Sequence, residues 1–442
     1  MISLGLPRRG FHFPDPQAHS GYKILKGAAP AWRYNTRVAF GTGEATEAPQ
    51  GQQALHTPQL RRALAGFFLS GVLFSFLGAM LPAWRHHLTE DFVVVGNYFL
   101  SLNLGILASV GLSGWLAPKK TISFLLVLAT SIACGAFLIL AVLPPAASPW
   151  WRMAGILLVG CGNGLLNTGV FHAISPAYRH DAAATIILAG TFFGLGCMVT
   201  ALLVAGTFYV YTVPSILVFL ALIPGYFIAL YARSASPERA QLRHPSLRQV
   251  LKDFRSPAAV LLTLLLFFQF GNEWAIAGWL ALFLSQRLGV SPEVSLVLLA
   301  VYWLALLVGR IAALLVLPRV SHARLLTASV LAAIFGCTLL ISTNNVFGAV
   351  VSILLVGAGF APVYPLVVEK IGGRFPNYHP GLFNGLFSLA LTGGLLAPWS
   401  LGFFTRAWGI KVVMALPLLG TLMVLLLLLL LWAETKLMGA EG

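Results

Sequence analysis

Residues Arg233–Ser256 read RSASPERAQLRHPSLRQVLKDFRS, the longest polar stretch of the chain after its first 60 residues. Its one amphipathic piece runs from Leu247 to Phe254. Apolar runs flank it, 213–232 before and 257–285 after, each long enough for a helix of about 20 residues to cross a bilayer. Moving outward, five more such runs precede it, at 62–84, 93–116, 121–144, 151–175 and 183–207. Five more follow, at 292–317, 323–342, 345–371, 381–405 and 410–433. Six spans, a basic connector and six spans define the expected fold: an all-α integral membrane protein of 12 transmembrane helices in two six-helix bundles.

The composition excludes soluble classes. Of 442 residues, 58% are hydrophobic and 9% charged, against about 45–50% and about 25% in ordinary globular chains. The mean hydropathy is +0.86. So few charges cannot cover a water-facing surface. The net charge of +15 would point to nucleic acid in a soluble chain; here it follows from topology. With the N-terminus inside, 22 Lys and Arg fall in inner segments and five in outer ones, namely Arg85, Arg152, Arg287, Arg406 and Lys411. Only Arg310 lies within a span. The positive-inside rule therefore places both termini in the cytoplasm. Cys134, Cys161, Cys197 and Cys337 sit in apolar runs without a CxxC pair and read as small core residues rather than ligands or disulfides.

The expected domain boundaries are a basic tail at 1–60, an N-terminal bundle at 61–232, a cytoplasmic linker at 233–256, a C-terminal bundle at 257–434 and a short tail at 435–442. The first tail holds Pro14, Pro16, Pro30, Pro49 and Pro58 and no apolar core of the 7–15 residues a signal peptide needs. It reads as a disordered tail or as a start placed too early.

Acids are scarce, 13 in all, and Glu273 is the one deep in a span. It lies about 24 Å along the seventh helix at 1.5 Å per residue, where an acid costs about 2.5–3.5 kcal/mol on insertion scales. Such a residue faces a cavity or a partner. Gln269, Asn272 and Glu273 share a helical face by spacing, with Trp274 and Trp279 nearby. Amides and a carboxylate for hydroxyls, and flat rings for C–H faces, are the means of holding a sugar. Glu273 is also the candidate for proton exchange; a protonated carboxyl hydrogen-bonded within the bundle is the bland alternative. Asn163 and Asn167 are i, i+4 in the fourth span, inside Gly160-Cys161-Gly162-Asn163-Gly164. No strand–turn–helix unit surrounds that run, so its glycines read as close helix packing and not as a phosphate loop. Tyr302 and Trp303 in the eighth span, and the stripe Asn384, Ser388, Thr392 in the eleventh, are further candidates to line a cavity or simply to pack. Arg310 is about 10 Å from the cytoplasmic end, more than 10 Å short of Glu273 by helix rise, too far for a direct pair. Pro362 and Pro365 with Gly357 and Gly359 in the tenth span, and Gly71, Gly78 and Pro82 in the first, predict broken helices at corresponding positions of the two halves. A weak echo supports the repeat: Gly194-Leu195-Gly196 in span 5 against Gly393-Gly394 in span 11.

Twelve spans with a basic central connector resemble the major facilitator superfamily. Phe270-Gly271-Asn272-Glu273-Trp274-Ala275-Ile276-Ala277-Gly278-Trp279-Leu280 is similar to the seventh helix of its fucose-permease-like sugar permeases. Tyr302 to Arg310 is similar to the eighth helix of that group, and Gly357-Ala358-Gly359-Phe360-Ala361-Pro362-Val363-Tyr364-Pro365 to the tenth. The loop between helices 2 and 3, Gly111 to Lys120, keeps the family's first glycine and basic end but lacks its acid and arginine. The acids those symporters carry in helices 1 and 4 are absent; helix 1 has none and helix 4 offers Asn163 and Asn167. The resemblance implies a cytoplasmic charge latch, here Arg310, Glu369 and Arg374, with Glu369 as Arg310's partner.

The expected function is secondary active transport of a small polar solute, a sugar, across the cytoplasmic (inner) membrane by alternating access, coupled to protons through Glu273. The residues expected at the solute are Asn163, Asn167, Gln269, Asn272, Glu273, Trp274, Tyr302, Trp303 and Asn384. The alternative is an exporter of amphipathic compounds or drugs. A membrane-embedded enzyme would need clustered His and Asp groups; His86, His87, Glu90 and Asp91 fall in one short loop and read as solvated. No catalytic residue, metal or cofactor is expected. The partners are a small-molecule solute, a co-transported proton and the lipid bilayer, with no nucleic acid, and the chain is expected to act as a monomer.

Overall fold

A bilayer leaves no water to satisfy backbone N–H and C=O groups, so each apolar run must satisfy its own by forming a helix. The computed structural model describes residues 58–88, 91–180, 182–233, 256–317, 319–374 and 385–440. Thirteen helices follow in order: α1 Pro58–Leu88, α2 Phe92–Leu116, α3 Ile122–Val142, α4 Pro149–His180, α5 Ala182–Thr207, α6 Val213–Ala232, α7 Pro257–Leu288, α8 Pro292–Val316, α9 His322–Ser342, α10 Val346–Phe360, α11 Val363–Arg374, α12 Gly385–Trp408 and α13 Val412–Ala440. Counting Val346–Ile371 as one, eleven stretches among the described residues are long and apolar enough to cross a membrane. A further helix, α12, is 24 residues long. The chain is a multi-pass helical membrane protein.

Local chemistry sets the ends. Proline occupies the first turn of α6, α7 and α8, where its missing N–H costs nothing. The Thr121 hydroxyl accepts from Phe124 N at 3.3 Å, and Asn345 Oδ1 accepts from Gly348 N at 2.6 Å. Gly289 closes α7 in the left-handed region at φ 66°. The tenth span divides at Ala361-Pro362, as its prolines predict. The matching break in span 1 is not found: α1 runs through Pro82 without ending.

The two halves are built alike, and glycine contacts show it. A Cβ on Gly71 of α1 would strike the Phe193 carbonyl of α5, and one on Gly196 of α5 would strike the Phe68 carbonyl of α1. In the second half, a Cβ on Gly271 of α7 would lie 3.2 Å from Gly393 O of α12, and one on Gly393 would strike Phe267 O. Gly105 and Gly160 press α2 against α4; Gly309 and Gly357 press α8 against α10 in the same way. Gly162 then meets α3 at Ala129 O (2.9 Å), and Gly359 meets α9 at Ser329 O (2.7 Å). These close backbone approaches are how helices pack where lipid removes the hydrophobic drive between them. The order of packing matches the parallel repeat of two-bundle transporters. It also aligns residues: Phe74 with Trp274, Gly78 with Gly278, and Ile106 with Arg310.

A Gly160→Val substitution puts a branched side chain against the Leu102 carbonyl. It is expected to lower stability by about 1–3 kcal/mol. Gly206→Ala, where a Cβ meets nothing within 4 Å, is expected to be neutral or slightly stabilising. Thermal unfolding in detergent checks both.

Candidate functional site

Glu273 lies in the middle of α7 and is neither fully buried nor exposed. Gln269, one turn earlier and fully buried, donates through Nε2 to Glu273 Oε1 at 2.7 Å. The Gln269 Oε1 atom is buried without a partner. From α8, Tyr302 is 0% exposed and Trp303 4%, yet the Tyr302 hydroxyl and the Trp303 Nε1 also lack partners. Buried polar groups are nearly always paired, so three such orphans on α7 and α8 are a marked departure among the described residues. The bond from the fully buried Gln269 Nε2 holds the Glu273 carboxyl beside an interior side chain.

Asn272 is placed elsewhere. Its Nδ2 donates to Thr421 Oγ1 of α13 at 3.2 Å, and it borders a separate cleft of about 240 Å³ between α7, α12 and α13. Its turn of about 100° from Glu273 carries it past the shared face that its spacing implies. It ties the second half together.

The first half contributes a polar knot. Ser70 Oγ lies 2.8 Å from Asn163 Oδ1 and 2.9 Å from Asn167 Oδ1. Its single proton serves one of them. Asn167 Nδ2 donates to Asn163 Oδ1 at 3.2 Å. Asn163 is 1% exposed, whereas Asn167 keeps accessible surface. Ser70→Ala is expected to cost about 1 kcal/mol, read as a lowered thermal midpoint in detergent.

Aromatic rings close the centre between the halves. Phe74 of α1 stands 4.8 Å from Trp274 and 6.5 Å from Trp303, centroid to centroid. Phe193 of α5 lies 5.5 Å from Phe74 and 6.2 Å from Trp303. The sequence reading passed over Phe74, Phe193 and Ser70. Phe74 did carry a signal, since it occupies Trp274's place in the repeat.

The end of the bundle bearing the α1–α2, α5–α6 and α12–α13 turns is sealed across the halves. Gly96 of α2 and Gly402 of α12 meet backbone to backbone, a Cβ on Gly402 falling 2.9 Å from Gly96 Cα. Beside them Trp399 Nε1 donates to Asn97 Oδ1 at 3.2 Å, and Trp279 stacks on Phe99 at 5.9 Å. Arg406 pairs with Asp91 at 3.3 Å; Asp91 is thus tied to the other half and not merely solvated. Hydrogen bonding to the Glu293 carboxylate of α8 holds the Tyr209 phenol, in the α5–α6 turn, above its ordinary range.

The latch expected at the other end is not assembled as proposed. Glu369 pairs with His322 at 3.3 Å, and not with Arg310. Arg310 Nη1 instead donates to the Gly190 carbonyl of α5 at 2.9 Å, because the long side chain points inward across the halves. It forms no ion pair with Glu273 among the described residues. Asn384, Glu90 and the side chains of Arg374, His86, His87 and Ser388 lie outside the described residues. All four cysteines are free, with Cys197 and Cys337 buried.

The chain matches the family model of the Major Facilitator Superfamily over residues 13–201 and 188–398. An uncharacterised MFS-type transporter of Yersinia pestis is 20% identical over 348 residues, spanning 78% of this chain and 88% of that protein. Among solved structures, the nucleoside transporter NupG superposes with a TM-score of 0.62 at 14% identity, covering 86% of this chain and 100% of its own. FucP in the outward conformation gives 0.58 at 15% identity, with 86% and 99% covered; in Escherichia coli this protein is the fucose:proton symporter. With both halves matched and a polar centre enclosed between them, the chain belongs to the major facilitator superfamily of membrane transporters.

Proposed function

We propose that this transporter moves a small polar solute of the sugar class across the cytoplasmic membrane, with Glu273 as the proton-exchanging group. The observation that carries this reading is the set of unpaired buried atoms facing the centre, Gln269 Oε1, Tyr302 OH and Trp303 Nε1. An acceptor and two donors beside a carboxyl, walled by Phe74, Trp274 and Trp303, suit a ring that offers hydroxyls at its rim and C–H groups on its faces. The solute would complete the bonds the protein leaves open. Asn167, with Asn163 behind it, would approach the solute from the first half. The names of two structural neighbours, a fucose:proton symporter and a nucleoside transporter, belong to solutes of the same hydroxylated kind.

The excess of Lys and Arg on one side of the spans supports cytoplasmic termini. The sealed end is then the outer one, and the structure corresponds to a state closed to the outside. The bundles 61–232 and 257–434 would rock about the centre, with the linker 233–256 holding them together. The ion pair of Glu369 with His322 is the candidate contact of the cytoplasmic gate.

Export of amphipathic compounds is the second reading. What favours it is a cavity of about 500 Å³ near the sealed end, walled mainly by apolar and aromatic residues such as Trp84, Phe208, Tyr209 and Tyr211. Uptake of a labelled panel of sugars into proteoliposomes, with and without a pH gradient, separates the two. Saturable, gradient-stimulated uptake of a sugar is expected. Transport of no sugar together with efflux of lipophilic dyes would replace the first reading by the second.

A further inference from the structure

We propose that Arg310 anchors an acidic group on the solute, so that the transported class is hydroxylated carboxylates of the sugar-acid kind. This rests on the reading of the centre as a sugar site.

Arg310 lies in α8 within Pro292–Ala313, a stretch apolar enough to cross the bilayer. A guanidinium within an apolar span is costly and is normally paired. Here it has no acidic partner among the described residues. Among the described residues the ion pairs are His322 with Glu369 and Arg406 with Asp91, while Glu273 is bonded to Gln269. One N–H, from Nη1, reaches the Gly190 carbonyl at 2.9 Å. The Nε N–H is buried and without a partner. The contact with α5 is possible because residue 190 is glycine; a Cβ there would sit 2.8 Å from Nη1.

An unspent Nε edge is the side of a guanidinium that takes a carboxylate bidentately. A neutral hydroxyl would leave the charge uncompensated. Glu273 does not remove the need: when it holds a proton it is neutral, and the centre then carries one net positive charge. The repeat sharpens the assignment, because the equivalent of Arg310 in the first half is the apolar Ile106. The charge belongs to one half alone, and it is held to the other half by the Gly190 carbonyl. The cleft beside it, between Ile187, Pro362 and Pro365, measures about 10 Å³ in this closed arrangement. Occupancy by an anion therefore requires the break between α10 and α11 to open.

The test compares glucuronate, its uncharged methyl ester, glucose and glucose 6-phosphate on the purified full-length transporter. Uptake into proteoliposomes and ligand-induced thermal stabilisation are both measured. Glucuronate is expected to move and to stabilise, with the ester and glucose weaker by about 100-fold. Arg310→Gln should bring glucuronate down to the level of the ester, and Arg310→Lys, which keeps the charge but not the fork, should fall between. The ester comparison uses the unaltered protein, so it decides the matter even if a variant fails to fold. Equal handling of glucose, ester and glucuronate overturns the anion site and leaves the sugar reading standing. Preference for glucose 6-phosphate overturns the carboxylate assignment in favour of a phosphate. If none of the four moves or stabilises, the anion site falls; if the wider neutral panel is also inert, the sugar reading falls with it.

Discussion

A Glu273→Gln transporter is expected to exchange solute at nearly the normal rate and to lose accumulation altogether. The carboxamide keeps the shape of the protonated acid and can still accept from Gln269 Nε2, which lies 2.7 Å from the carboxyl. It can no longer release a proton. For a carrier moving one proton per solute, each unit of pH difference is worth about 1.36 kcal/mol, a factor of ten in concentration. A gradient of two units then supports about 100-fold accumulation in the unaltered protein and none in the variant. Counterflow with equal pH on both sides supplies the control: it should survive in Glu273→Gln. Accumulation that persists at the normal level would show that the coupling group is elsewhere, and loss of counterflow as well would mean that Glu273 is needed for binding or folding.

The second large effect is expected at the seal between Gly96 and Gly402. Gly402→Trp places an indole where a Cβ alone would already lie 2.6 Å from Phe92 O and 2.9 Å from Gly96 Cα. Overpacking of about 1–3 kcal/mol disfavours the sealed state relative to the open one by about 5- to 150-fold. Transport should fall with it. The wedge opposes a contact between halves, so each bundle should remain folded. Spin labels at Val210 and Trp408, both exposed at that end, should report a longer distance in the variant than in the unaltered protein. Gly402→Ala should give a smaller change of the same sign. Normal transport in Gly402→Trp would mean that this contact does not form during the cycle.

The spans were legible because a bilayer imposes one length and one chemistry on every crossing segment. The connector at 233–256 and the apolar runs on either side were enough to count them. The deep acid was legible for the same reason, since cost alone singles out Glu273. The direction of a side chain was less so. Gln269, Asn272 and Glu273 are neighbours by spacing, yet Asn272 sits on the edge of that face and is taken by Thr421 of another helix. Which neighbour stands at an edge is a property of the packed bundle and not of one helix. Apolar contributors such as Phe74 give no signal within an apolar span. The repeat supplies one, because Gly71, Phe74 and Gly78 are spaced as Gly271, Trp274 and Gly278. Backbone rise kept Arg310 apart from Glu273, and no ion pair joins them among the described residues, but it could not show that the long side chain reaches across to Gly190 rather than to Glu369.

The central claim is that the Glu273 carboxyl meets water through a passage between the halves. Carbodiimide labelling of the unaltered protein in membranes, read by peptide mass spectrometry, tests it most directly. A water-soluble carbodiimide should modify Glu273 from the cytoplasmic side, and a transported solute should protect it. Modification by a lipophilic carbodiimide only, with no protection by any solute, would place that carboxyl against lipid and contradict the account.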